Sequence, residues 1–120
     1  MITDLWDSHG QAVAYIDEDK QSIYMRDGTP VAWLCENMVY TYPGKLLGWL
    51  WEGWIFGSDG KCVLFTERSQ PGPTKPFRRA PEDRGNQSPR PSRDTRETSH
   101  KRPSRSAIWS SRSTQSFFTS

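Results

Sequence analysis

Two cysteines and two histidines in 120 residues are too few for several kinds of protein. A disulfide framework needs more cysteines and an export signal, and Cys35 and Cys62 stand 27 residues apart, each beside apolar neighbours. His9 and His100 have no close cysteine or histidine partner at zinc-ligand spacing. No stretch approaches the roughly 18 apolar residues that a membrane helix needs. The opening "MITDLWDSHG" has neither a basic start nor the apolar stretch of a signal peptide. Reduced thiols in a cytoplasmic chain, with no membrane contact, are the expectation.

Charge and aromatic residues are divided near Arg68. Residues 1–67 hold four bases against ten acids, a net −6, with five of the six tryptophans and all four tyrosines. Residues 68–120 hold twelve bases against four acids, a net +8. Large apolar side chains are scarce there, so burial does not offset an ordering cost of roughly 1–2 kcal/mol per residue. Composition therefore predicts a folded domain over 1–67, a disordered Arg/Ser/Pro-rich linker over 68–107 and a short apolar segment over 108–120.

The front half repeats one phrase four times: "LWDSHGQAVAYI", "IYMRDGTPVAWL", "VYTYPGKLLGWL" and "IFGSDGKCVLFT". Aligned on Gly10, Gly28, Gly44 and Gly60, the phrases match in four further columns. Leu5, Ile23, Val39 and Ile55 precede Trp6, Tyr24, Tyr40 and Phe56; Val13, Val31, Leu47 and Val63 precede Tyr15, Trp33, Trp49 and Phe65 by two positions. Each phrase reads as a β-hairpin about a glycine turn. Proline at 43 predicts a locally different, type II turn in the third hairpin. Short links join neighbouring antiparallel strands. The fold class is thus all-β: four hairpins, about eight antiparallel strands, around a pseudo-four-fold axis. Alternation places Val13 and Tyr15 with their equivalents on one face, and Ala14, Ala32, Gly48 and Leu64 towards the axis.

The "Y…G…VAWL" phrase and the "DGKCVLFTE" ending of the fourth hairpin resemble the four-fold beta flower proteins. "PGPTKP" at 71–76 resembles that family's segment after the last hairpin. "IWSS" at 108–111 and "FF" at 117–118 are similar to its Ser-Trp-Ser phrase and hydrophobic terminus, while Arg, Ser and Pro replace its aliphatic repeat. The resemblance implies a flower-shaped β fold in a mostly bacterial family, and no assigned activity.

Catalytic chemistry finds little support in the residues. "DEDK" at 17–20 lacks the spacing and glycine of a calcium loop. Cys35 precedes Glu36 and Cys62 sits in an apolar run, so both read as core-lining thiols rather than nucleophiles. His9 occupies a turn column shared with Asp27, Pro43 and Asp59. The glycines recur at turn spacing, not in a phosphate loop. The expectation is a non-enzymatic module with no cofactor and no metal, structural or acting through protein interaction.

Candidate contact residues are aromatic. Trp6, Trp33 and Trp49 fall in the repeat columns and read as core filling. Trp51 and Trp54 bracket "EG" and are expected at the surface. Trp109, Phe117 and Phe118 end a polar tail and are expected to dock, either on the hairpin domain or on an unknown protein partner. The competing expectation is nucleic-acid or anion binding through the arginines of "RPSRD" and "KRPSRS".

Overall fold

The computed structural model describes residues 1–119. Its strands are β1 (Thr3–Trp6), β2 (Ala12–Ile16), β3 (Ser22–Met25), β4 (Pro30–Cys35), β5 (Met38–Tyr40), β6 (Leu46–Trp51), β7 (Trp54–Gly57) and β8 (Cys62–Phe65). A short helix, α1 (Thr114–Phe118), follows the tail. All eight strands pair antiparallel with their sequence neighbours, and β8 returns to β1 through Trp6 and Phe65 to close a barrel. Closure removes the exposed sheet edges that an open meander would leave. Two equal long dimensions, in an envelope of 36 × 36 × 23 Å, are those of a four-fold disc.

The four glycine turns share one hydrogen-bond frame. Each glycine amide donates to the carbonyl three residues back: Gly10 to Asp7, Gly28 to Met25, Gly44 to Thr41 and Gly60 to Gly57. In all four, the residue that supplies this carbonyl also donates its own amide to the carbonyl just after the glycine. Positive φ falls on the glycines, while His9, Asp27 and Asp59 keep φ below zero. Proline's fixed φ of about −65° is compatible with that place, and the third turn keeps the hydrogen-bond frame of the others, so the type II turn expected there does not arise. Between hairpins, the two-residue links at 36–37 and 52–53 carry Glu36 and Glu52 at φ 57° and 55°.

Every hairpin also contains one irregularity that strand alternation does not disclose. Leu5 pairs with Ala14 but Trp6 with Ala12; the same step skips Val31, Leu47 and Val63 in the other three hairpins. A β-bulge sets two consecutive side chains towards one face. Val13, Val31, Leu47 and Val63 therefore pack with the interior cluster of Leu5, Ala14, Ile23, Ala32, Val39, Ile55 and Leu64, against the expectation that they share a face with Tyr15. Phe117 and Phe118 of α1 join the same cluster.

The repeat-column aromatics are buried, yet outside the barrel. They stack in pairs across neighbouring hairpins: Trp6 with Phe65, Tyr15 with Tyr24, Trp33 with Tyr40 and Trp49 with Phe56, with centroids 5.6–6.4 Å apart. What covers them is the tail. The segment over 68–107, disordered by composition, instead runs round the barrel wall as an extended strap without helix or strand. The radius of gyration, 13.3 Å, is that of a compact chain of this length. The physical reason is that the strap needs no core of its own. It borrows the barrel's outer aromatic surface and places its cations there.

Candidate interaction surface

The strap follows the barrel with a nine-residue period. The amides of Arg79, Ser88, Glu97 and Ser106 donate in turn to the carbonyls of Gly10, Gly28, Gly44 and Gly60, at 2.8–2.9 Å. Two positions earlier, the carbonyls of Phe77, Asn86, Thr95 and Ser104 pass so close to those glycines that a Cβ would overlap them. Gly85 and Asp94, again nine apart, donate to Arg26 and Tyr42, and the matching places 76 and 103 are prolines, which have no amide hydrogen. One strap unit thus serves each hairpin.

Side chains keep the same beat. Lys75, Arg84, Arg93 and Arg102 stand over the rings of Trp54, Tyr15, Trp33 and Trp51, at 5.6, 5.0, 4.2 and 3.8 Å from the centroids. A second series comprises Arg78 over Trp6, Gln87 donating to the Tyr15 hydroxyl, Arg96 over Tyr40 and Arg105 over Trp54. Ring faces attract cations, and guanidinium planes most often fill that place. Trp6 and Trp54 also donate their indole N–H groups to strap carbonyls, those of Arg79 and Gln70. Ion pairs add Arg90 with Asp19 and Arg105 with Glu52; a basic strap lies on an acidic barrel.

Both ends of the strap meet at β8. Cys62 exchanges backbone hydrogen bonds with Ile108 and Ser110, and Trp109 lies edge-on to Trp54 and Phe65. The Trp109 indole donates to the carbonyl of Thr74, in the first part of the strap, at 2.9 Å. The tail thereby closes a ring around the barrel.

Of the five residues singled out as contact candidates, this arrangement buries three. Trp54 is wholly enclosed, contrary to the surface position expected of it, and Phe117 and Phe118 are buried in the interior cluster. Trp109 is half-buried on the protein's own barrel. Trp51 is 39% exposed with Arg102 on its face. Ser120, the last residue of the apolar segment, lies outside the described residues. Cys35 is not the core thiol expected of it: it is half-buried beside the Arg96 guanidinium. Cys62 is fully buried, and burial pushes its thiol up against the opposing charge of Arg105. Burial likewise raises Tyr24, Tyr40 and Tyr42.

The strap was missed in the sequence although its period is written there. Arg84, Arg93 and Arg102, with Lys75 before them, recur every nine residues. Their meaning depends on the aromatic pairs beneath, which composition alone does not place. An open cleft of about 570 Å³ lies between the strap and the first two hairpins; Arg26 there pairs with Asp4 at 2.8 Å and donates to the carbonyl of Glu82.

A small closed barrel of four β-hairpin repeats, belted by its own tail, is the class of protein that these features define. The chain belongs to the 4-fold beta flower protein family, which matches it over residues 3–118, strap included. No curated protein and no solved structure matches it. Among the described residues, no helix is long and apolar enough to cross a membrane.

Proposed function

We propose that the chain is a non-catalytic β-repeat module, structural or acting by protein contact, in a reducing cytoplasm. One observation carries this reading: strap cations are already seated on barrel aromatics at every nine-residue step. The same rings would otherwise stack on bases, and the same arginines would otherwise meet phosphates. Both groups are engaged with each other instead. The free thiols of Cys35 and Cys62 accord with the reducing compartment.

The experiment is a titration of labelled single- and double-stranded DNA and RNA with the full chain across a salt series. No saturable binding is expected at physiological salt. Tight binding that weakens steeply with salt, the mark of several phosphate contacts, would replace this reading by nucleic-acid binding through the tail.

A further inference from the structure

We propose that the grooves between hairpins form a receptor for an extended arginine-bearing peptide, and that its partner in trans is the strap of a second copy of this chain. The proposal rests on the protein-contact reading above and names the contact. The strap is the one segment of known fit: its backbone meets each turn glycine, and Arg84, Arg93 and Arg102, nine residues apart, meet the rings of Tyr15, Trp33 and Trp51 in turn.

The middle of the strap is held like a ligand rather than like a core element. Residues 81–100 are all exposed and belong to no helix or strand. Backbone bonds fall only at intervals, as from Gly85, Ser88, Asp94 and Glu97. The strap's ends are anchored by Trp54, which donates to the Gln70 carbonyl, and, just past residue 107, by the paired bonds of Cys62 with Ile108 and Ser110 and the buried Phe117 and Phe118 beyond them. The middle can therefore lift while the ends hold, uncovering Tyr15 and Trp33 with their stacked partners. A second copy's strap then finds the same carbonyls, the same rings and the same opposite charge. Recognition reads spacing as well as charge, because a strap unit advances by one hairpin every nine residues.

The test uses the full chain and a labelled peptide of its own residues 74–107. A second peptide carries one alanine inserted between Arg84 and Gly85, which keeps the charge but moves Arg93 and Arg102 out of step. The tethered strap competes at an effective concentration on the order of millimolar, so titrations extend to that range. A third arm titrates the in-step peptide against the full chain carrying Arg84→Gln, Arg93→Gln and Arg102→Gln, whose own strap grips less. The expected result is saturable binding of the in-step peptide, weaker by roughly tenfold or more for the out-of-step one, because the insertion displaces the ring contacts of Arg96 and Arg105 as well as those of Arg93 and Arg102. Binding should be tighter to the Gln variant than to the parent. Equal binding of both peptides would mean charge attraction alone, and no saturable binding to either protein would mean a strap closed to exchange. Each of these overturns the proposal. If the strap does not exchange while nucleic acids also fail to bind, the protein-contact reading stands without this partner.

Discussion

The amide of Ser88 donates to the carbonyl of Gly28 at 2.9 Å, so a residue in the middle of the tail is fastened to the tip of the second hairpin. The same relation recurs at the other three turns, and it makes each turn glycine necessary twice over. Gly28 has φ 97°, and a Cβ there would overlap the backbone of Asn86.

Gly28→Ala should therefore destabilise the protein by about 1–3 kcal/mol from backbone strain alone, with strap displacement in addition. Gly57→Ala is the control, since its φ is ordinary and a Cβ would meet only van der Waals neighbours at 3.5 Å or more. It should be neutral or stabilising by about 0.4–1 kcal/mol. Urea unfolding of both variants checks this, and equal losses would show that the close approach has no energetic weight.

Ala32 is fully enclosed opposite Ile23 in the barrel interior, whereas Thr29 is exposed in a turn. Ala32→Phe should overpack the interior and cost about 1–3 kcal/mol. Thr29→Phe should stay within about 0.5 kcal/mol. Thermal midpoints of the two variants decide the matter.

Thiol labelling reports on the closure at β8. In the native protein, iodoacetamide should modify Cys35, which is half-buried, and spare Cys62, which is fully buried with its thiol pushed up by burial. Trp109→Ala removes the ring that packs on Trp54 and Phe65. The cost should be about 1.5–3 kcal/mol, towards the lower figure because Trp109 is half-exposed. Cys62 should then label faster, as followed by mass spectrometry. An unchanged Cys62 rate would mean that the tail's end does not guard β8.

Asp19 should make the turn before β3, and to a smaller degree its ion pair with Arg90 of the strap, sensitive to acid. Burial alone would raise its carboxyl; the Ser22 hydroxyl and amide, the Gln21 amide and the Arg90 charge outweigh this and hold it below 3.8. A folded value lower than the unfolded one stabilises above the unfolded value and is lost as pH falls through the folded one. Between neutral pH and about pH 3, a range set by the ordinary carboxylate value, Asp19→Asn should lose less stability than the parent. Parallel acid dependence in both proteins, followed by chemical denaturation at each pH, would show that the Asp19 carboxylate contributes no acid-sensitive stability.

Local periodicity determined the hairpins. Five aligned columns, from Leu5 and Trp6 through Gly10 to Val13 and Tyr15, specify strand, turn and strand without reference to anything distant. Short links such as "CENM" at 35–38 leave neighbouring strands little choice but to pair, so four hairpins in a ring were legible too; the pairing of Cys35 with Met38 shortens that link to two residues. Family resemblance at "DGKCVLFTE" and "PGPTKP" agreed with that reading. What the sequence alone did not disclose depends on contacts between residues far apart in the chain. Val13 turns inward because a bulge sets its register against Leu5, not because of its place in an alternation. The stacked aromatics face outward, and a segment too polar to build a core becomes ordered by lying on them. Arg84 and Tyr15 are 69 residues apart, and only the closed barrel brings the ring beneath the guanidinium. Composition judged the tail by what it could bury within itself; tertiary structure decided the outcome by supplying a surface from elsewhere in the chain.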